Sequence, residues 1–129
     1  TSWDVRRRDF DYDFCRQMLK LRHVVTSFYY ADFYPLTSYR TDNDVWIAWQ
    51  FHDPESQSGL VQAFRRPQSP ASSLQFRLRG IQAGKRYQVN NLIDETSFVL
   101  DGKDILVDGL PVTLNQRRSA TLLRYELVP

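Results

Sequence analysis

The chain has 129 residues, of which 42% are hydrophobic and 25% charged, as expected for one globular domain or a domain with a short attachment. The net charge of +2 argues against a dedicated nucleic-acid-binding protein, and no apolar run approaches the roughly 20 residues of a membrane span. The one cysteine, Cys15, excludes an internal disulfide and a zinc–thiolate cluster. Thr1 to Asp4 include no initiator Met and no signal-peptide core, so we expect a piece of a longer, soluble protein. The compartment stays open between cytoplasm, periplasm and secretion.

One main helix is predicted from about Asp9 to Thr26. Acidic residues lie in its first turns and basic residues in its second half, which suits the helix macrodipole. Pro35 then marks a boundary, because the residue before a proline avoids helical geometry. The apolar residues that recur at intervals of three and four, as on one helix face, are Phe10, Phe14, Met18, Leu21, Val25 and Phe28.

After Pro35 the hydrophobic period changes to two, which is typical of strands. The dipeptides Asp101-Gly102 and Asp108-Gly109 are interpreted as hairpin turns. This pattern predicts an antiparallel two-sheet β-sandwich of about eight strands, with a partly open barrel as the alternative. The predicted strands are Val45–Phe51, Leu60–Arg65, Ser73–Arg79, Arg86–Asn90, Thr96–Leu100, Asp104–Val107, Pro111–Leu114 and Ala120–Leu127.

Three groups of carboxylates are candidates for a functional site. The run Asp9, Asp11, Asp13 imitates the first ligands of an EF-hand, but Phe14 and Lys20 occupy the positions that need Gly and Glu. We therefore interpret it as a helix N-terminus. The pairs Asp42/Asp44 and Asp101/Asp104 lie in predicted turns, where Asp bonds the local backbone, and are not assigned as paired acids.

Histidine and cysteine offer little for catalysis. Cys15 and His23 are eight residues apart with no third group to orient them, so Cys15 is interpreted as a small buried hydrophobe. His52 and Asp53 are interpreted as a loop pair before a turn proline. The sequence therefore predicts no catalytic residue, no metal ligand and no cofactor.

Arginines and aromatic residues remain. The arginine run 6–8 is interpreted as a solvated or interdomain segment before the helix rather than a phosphate contact.

Trp46 and Trp49 are three apart on a strand and therefore point to opposite faces, so at least one belongs to the core. For the other tryptophan, a place in a carbohydrate-binding platform stays open as the alternative. The aromatic segment from Phe28 to Tyr34 is interpreted as a packing seam.

From Phe28 onward the chain resembles the C-terminal region of alpha-galactosidases of glycoside hydrolase family 36, in clan D. The segment from Tyr30 to Tyr39 is similar to that family's G-D-Y-Y-P-L-T-P-Y-S stretch. Further similar segments follow collinearly: Asp44–Phe51, Gly59–Pro67, Leu78–Ile81 with Tyr87–Val89, Gly109–Leu114 and Ser119–Leu123.

The resemblance implies a Greek-key sandwich over residues 37–129, with residues 1–36 as a helix and linker like the end of a catalytic (β/α)8 barrel. It also implies a non-catalytic accessory domain that packs on and stabilises the barrel of its own polypeptide. The parent would be an alpha-galactosidase acting on galactosides. In this family the catalytic aspartates belong to the barrel, so no catalytic residue is carried over.

Two other functions stay open, an independent carbohydrate-binding module and a homo-oligomerisation domain, and no residue of a carbohydrate site is named. We expect the face formed by the helix and residues Phe28–Tyr39 to be an intramolecular docking surface.

Overall fold

The computed structural model describes residue 4 and residues 6–129. The N-terminal residues considered above for a signal peptide, Thr1 to Trp3, lie outside this part. The elements in chain order are α1 (Tyr12–Thr26), β1 (Asp32–Pro35), β2 (Trp46–Asp53), β3 (Ser58–Arg65), β4 (Ser73–Phe76), β5 (Arg86–Asn91), β6 (Ser97–Asp101), α2 (Gly102–Val107), β7 (Leu110–Thr113) and β8 (Ser119–Leu127).

Helix α1 begins where a carboxylate can cap it. The Asp11 side chain accepts a hydrogen bond of 2.9 Å from the backbone N–H of Phe14, so the helix starts three residues later than expected. At the other end, the backbone N–H of Ser27 bonds the Val24 carbonyl and that of Phe28 bonds the Val25 carbonyl. The predicted apolar stripe is packed only toward this C-terminal end, since Phe28 is buried whereas Phe14 is 54% exposed.

Two sheets face each other and form the sandwich. The six-stranded sheet has the order β1-β2-β3-β8-β5-β6, and β4 pairs with β7 in a two-stranded sheet. All pairs are antiparallel. β8 follows β7 after the five residues 114–118 and lies between β3 and β5, with which it pairs on either side. The predicted fold class, a mostly β sandwich of eight strands preceded by one main helix, is confirmed.

One predicted strand is wrong: residues Asp104–Val107 belong to the short helix α2. Asp101 occupies its N-cap position, and the backbone N–H of Gly109 bonds the Asp104 carbonyl at its end. Gly109 has a φ of +91°, the left-handed conformation that terminates helices. Gly102 is needed for space, because a Cβ there would lie 2.0 Å from the Gln82 carbonyl oxygen. The two Asp-Gly pairs therefore bracket a helix and not a hairpin strand.

One strand was not predicted. β1 lies in the segment interpreted as linker and pairs with β2 from Asp32↔His52 to Pro35↔Trp49. As an edge strand it tolerates Pro35, which lacks a backbone N–H. The count of eight strands thus holds because β1 replaces the strand that α2 removes.

The core has two parts, one on each face of the six-stranded sheet. The inner face packs against the two-stranded sheet and α2, with Val61, Tyr87 and Ile105 completely buried. On the outer face, Val25 and Phe28 from the end of α1 pack on Leu60 and Leu122. The inner cluster is the larger one, and the helix covers only part of the outer face. In the described part of the chain, no helix has the length and apolar character needed to cross a membrane.

Candidate functional site

The inner face carries a buried polar network. His52 was predicted in a loop, but it lies in β2, is 1% exposed, and its Nδ1 is 2.7 Å from the hydroxyl of Tyr125. Gln50 donates from Nε2 to the same hydroxyl, also at 2.7 Å, and to the Arg79 carbonyl. Because Gln50 donates to it, the Tyr125 hydroxyl is free to donate its own proton to His52 Nδ1. The network is closed to solvent and joins β2 to β8.

Burial also sets the proton affinities in this network. Desolvation lowers the pKa of His52, while the nearby carboxylates Asp32 and Asp53 act in the opposite direction. Desolvation likewise raises the pKa of the Tyr125 hydroxyl above its ordinary value. Both groups are therefore neutral near pH 7, and neither opens onto a cleft that could hold a substrate. Their arrangement stabilises the fold and does not resemble an acid–base site.

A second buried group, Arg65 in β3, has a structural role as well. Its guanidinium donates to the carbonyl of Ser69 at 2.9 Å and to those of Leu114 and Asn115 at 2.7 and 3.1 Å. The side chain is 6% exposed. These backbone acceptors come from two separate loops, so Arg65 fixes both loops to the end of β3.

The acidic candidates bond either the local backbone or an arginine. Asp42 and Asp101, which were expected to bond the backbone of their turns, pair with arginines instead. Asp11 caps α1, and Asp9 and Asp13 pair with Arg7 and Arg16. Asp42 accepts from Arg40, and Asp101 pairs with Arg86 at 3.2 Å. Within the described residues, no three His, Cys, Asp or Glu side chains come close enough to hold a metal ion.

The remaining polar candidates do not converge on a site either. Cys15 is half-buried rather than buried, and His23 is exposed on α1. Asp53 folds its own turn, because its carboxylate accepts from the hydroxyl of Ser56 at 2.8 Å and from the N–H of Glu55 at 3.0 Å. These hydrogen bonds lower the pKa of Asp53. Arg7, which belongs to the basic run, is exposed and pairs with the carboxylate of Asp9.

The two tryptophans lie on opposite faces, as predicted. Trp46 is 3% exposed and donates from Nε1 to the Ala71 carbonyl. Trp49 is half-buried on the outer face, where its Nε1 donates to Gln62 at 2.7 Å. Its ring tilts against Phe64, with a centroid distance of 5.3 Å. With its N–H already bonded and apolar neighbours around it, Trp49 is suited to protein contact more than to a sugar ring.

Trp49 belongs to an aromatic surface of which the sequence indicated only Trp49 itself and the segment from Phe28 to Tyr34. Phe33 and Tyr29 pack against Phe51, with ring centroids 5.5 and 6.2 Å apart. Phe33 and Tyr29 are 54% and 56% exposed. The period-two alternation of β3, which places Phe64 beside Trp49, was a signal available in the sequence. We call these side chains the outer aromatic strip: Tyr29, Phe33, Trp49, Phe51 and Phe64.

A groove extends this apolar surface along α1. It has a volume of about 720 Å³ and lies between the helix and the turn that connects β5 to β6. Phe14 and Met18 line one wall, and Ile93, which is 51% exposed, lines the other. We call this feature the helix groove. The rest of its lining includes charged residues, among them Lys20 and Glu95, so the groove is only partly apolar.

The family model of the glycosyl hydrolase family 36 C-terminal domain matches residues 46–124, well over half of the chain. The chain belongs to this family. The matched region begins at Trp46 and ends in β8, so it spans most of the sandwich of this family 36 domain. No curated protein sequence matches the chain.

Solved structures of a family 36 enzyme share the fold. Alpha-galactosidase AgaA from Geobacillus stearothermophilus, as a variant in complex with raffinose, is 19% identical with a TM-score of 0.76 over 97% of this chain. The same enzyme in another crystal structure is 20% identical with a TM-score of 0.74 over 95% of this chain. The match covers 17% of the length of each of those chains. At these identities the similarity establishes a common architecture.

Proposed function

We propose that this family 36 C-terminal domain is a non-catalytic accessory domain of an alpha-galactosidase-like glycoside hydrolase. In this proposal it packs on the catalytic (β/α)8 barrel of the same polypeptide and stabilises it. Residues 1–36 would be the helix and linker that join the barrel to the sandwich of residues 37–129, with β1 reaching back into the sheet.

The exposed apolar side of the domain is the observation that carries this proposal. Phe14, Phe33 and Tyr29 are each more than half exposed and lie on the helix groove and the outer aromatic strip. A domain interface within a chain typically buries roughly 600–1,500 Å². The catalytic domain is the occupant we assign, because a C-terminal domain is covalently joined to it and the joining segment carries α1.

The structural roles of the candidate carboxylates are consistent with an accessory domain. In the described residues, the carboxylates considered above cap helices, fold turns or pair with arginines. The one buried histidine is held neutral inside the sheet. Hydrolysis of a glycosidic bond by paired acids needs two carboxyls across an open cleft, at roughly 5–9.5 Å.

An activity assay tests the non-catalytic part of the proposal. The 129-residue chain is incubated with nitrophenyl alpha-galactoside, and release of nitrophenol is followed. We expect no turnover above the substrate's spontaneous hydrolysis. Steady turnover that disappears when one Asp of this chain is replaced by Asn would overturn the proposal.

Thermal inactivation of the parent enzyme tests the docking part. Phe33→Asp places a charge on the outer aromatic strip, and Val99→Asp places one on the same face of the sheet at its far edge, in β6. Since only Phe33 lies in the assigned interface, the Phe33 variant should inactivate at a lower temperature than the Val99 variant. Equal inactivation temperatures for the two variants and the unchanged enzyme would exclude docking through this surface.

A further inference from the structure

The described residues form two sheets with four free strand edges, and two of these edges are closed by proline. The six-stranded sheet ends in β1 and β6, and the two-stranded sheet leaves one edge on β4 and one on β7. An edge strand presents unpaired N–H and C=O groups to which another strand can add. A proline at an outward-facing position removes the N–H that such pairing needs. The backbone direction at each edge therefore decides where a partner strand fits.

Pro35 and Pro111 both occupy outward-facing positions. The N–H of Leu36 bonds a carbonyl of β2 at 3.0 Å, and ladder bonds alternate along an antiparallel pair, so Pro35 faces away from β2. In the small sheet, the N–H of Leu114 bonds the Ser72 carbonyl at 2.8 Å, so Pro111 likewise faces away from β4. The edges of β1 and β7 therefore each lack an outward N–H.

The edge of β4 is open. By the same alternation, Leu74 and Phe76 bond β7, and the N–H and C=O groups of Ser73 and Gln75 point to the other side. Both residues are exposed, and within the part of the chain that the structure describes no strand pairs with β4 on this side. Ser73 and Gln75 therefore offer four backbone groups to an added strand.

A largely apolar cleft borders this open edge. It has a volume of about 420 Å³ and is lined on one side by Leu74 and the residues before β4, and on the other by Val45, Trp46 and the loop between β1 and β2. No residue of β7, which the structure describes completely, belongs to the lining, so the cleft lies on the unpaired side of β4. We call it the β4 cleft. Side chains alternate along a strand, so every second side chain of a strand added to β4 would face the cleft.

The charges around β4 select the partner. From Ser56 to Ile93 the sequence contains six Arg or Lys residues and no Asp or Glu, and β4 lies within this segment. Arg77 and Arg79, which follow β4, are exposed. Among the described residues that line the β4 cleft, Asp44 alone is acidic. A second copy of β4 would bring like charges together, whereas an acidic strand would be attracted.

The remaining edge, on β6, has the opposite charge. It contains no proline, but Asp94 and Glu95 precede the strand and Asp101 ends it. An acidic segment would meet like charge there. Of the two edges without proline, only that of β4 therefore combines outward backbone groups with a basic environment.

We propose that the free edge of β4 binds an extended, acidic segment of another protein as an added strand, with apolar side chains of that segment over the β4 cleft. The backbone groups of Ser73 and Gln75 form the hydrogen bonds, and Arg77 attracts a carboxylate of the segment. This site is independent of the accessory role, because the assigned docking surface lies on the outer face of the six-stranded sheet and β4 belongs to the opposite sheet. Failure of either proposal leaves the other unchanged.

Titration of the ¹⁵N-labelled 129-residue chain with model peptides tests the site. The probes are two pentapeptides, acetylated and amidated at their ends, with the sequences Glu-Leu-Glu-Leu-Glu and Lys-Leu-Lys-Leu-Lys. We expect the acidic peptide to give saturable shifts of the amide signals of Ser73 and Gln75, and the basic peptide to bind about tenfold more weakly or not at all. If the acidic peptide gives no saturable shift at these residues, or both peptides bind equally well, the proposal is wrong.

Gln75→Pro tests whether the backbone edge forms the contact. Gln75 lies opposite Pro111 and its N–H faces outward, so the substitution removes no bond between β4 and β7 and the chain should stay folded. Affinity for the acidic peptide should fall by about tenfold, because one backbone donor is lost and the proline ring lies in the path of the added strand. Gln75→Thr keeps the N–H and is the matched control, with affinity unchanged. Equal affinities of the proline and threonine variants would exclude strand addition at β4.

Arg77→Glu keeps the test valid if the proline variant does not fold. The acidic peptide should bind this variant about threefold more weakly, and the basic peptide should bind it more tightly than it binds the parent chain. Arg22→Glu makes the same exchange at an exposed position of α1 and should leave both affinities as they were. Indistinguishable affinities of the Arg77 and Arg22 variants would show that charge at β4 does not select the peptide.

Sedimentation of the 129-residue chain without peptide distinguishes a second copy from a different partner. We expect any self-association to be the same in the parent chain and in the Gln75→Pro variant. If the parent chain forms a dimer that Gln75→Pro dissociates, a second copy occupies the β4 edge and the assignment to another protein is wrong.

Discussion

The two faces of the six-stranded sheet differ in how completely they are used. On the inner face, Val61, Val89 and Tyr125 are fully buried, and the polar groups of the His52 network have partners. On the outer face, α1 covers the middle of the sheet, while Phe33 and Phe64 remain 54% and 37% exposed. The inner face thus accounts for most of the stability of the domain, and the outer face keeps apolar surface for a partner.

The largest loss of stability should come from truncating a core residue of the inner side, compared with its exposed neighbour. Ile105→Ala in α2 removes a completely buried side chain and should lower the free energy of unfolding by about 2–5 kcal/mol. Leu106→Ala, at the next position of the same helix, is 37% exposed and should cost about 0.5 kcal/mol. Urea unfolding followed by tryptophan fluorescence measures both. Equal losses would show that α2 does not seal the inner core.

The polar network of the inner face should respond to loss of a single oxygen. Tyr125→Phe leaves Gln50 and His52 without their shared partner, so we expect a loss of about 1–3 kcal/mol. Tyr39→Phe changes a side chain that is 92% exposed and serves as the control, with no measurable loss. A Tyr125 variant as stable as the parent chain would mean that the network contributes nothing to stability.

Acid should weaken the inner face through His52. Burial lowers its pKa in the folded chain below the value of 6.5 that it has when unfolded. As the pH falls below about 7, the unfolded state therefore binds the proton first, and the free energy of unfolding decreases until the folded pKa is passed. Protonation would also convert Nδ1 from an acceptor into a donor facing the Tyr125 hydroxyl.

Urea midpoints measured between pH 7.5 and 5 check this expectation. His52→Gln should flatten the decline over that interval, whereas His23→Gln, an exchange on the exposed side of α1, should retain it. The carboxylates Asp53 and Asp94, whose pKa is lowered by hydrogen bonds, contribute their stability above their unfolded pKa of 3.8 and lose it at lower pH. If the urea midpoint of the His52 variant still falls between pH 7.5 and 5, another titrating group causes the decline.

The smallest effect on stability is expected on the outer side. Phe14 is exposed and Met18 half-buried in the helix groove, so replacing both with Asp should leave the sandwich folded. The isolated chain should become more monomeric in light scattering, because charge in the groove opposes contact between copies. If the double change instead unfolds the whole domain, α1 belongs to the sandwich core and the comparison between the two faces fails.

The α-helical start, the change of hydrophobic period and most strands were predictable, because each is a local pattern. Residues Asp104–Val107 were not, since a short apolar run is compatible with strand and helix alike. Here tertiary contacts decide: Gly102 fits closely against the Gln82 carbonyl, and Ile105 points into the core while Val107 is 57% exposed. The sequence did carry the helix signals, an Asp at the N-cap and Gly109 after the end.

The candidate sites were less predictable than the fold. Turn chemistry explains why Asp11 and Asp53 could be assigned local roles in advance, although the strand position of His52 could not. The helix groove could not be foreseen either, because it forms only where α1 packs beside the turn between β5 and β6.

The position of β8 has a consequence for how the domain is made. β3 and β5 have no common ladder, and each pairs with β8, so Gly59 reaches its partner Tyr125 only after the intervening chain has been synthesised. Such long-range pairing slows folding and leaves strand edges open in the meantime. On the ribosome, strands β1 to β3 therefore form an incomplete sheet, with Leu60 and Val61 uncovered until β8 has been synthesised. In this interval the nascent chain most needs a chaperone.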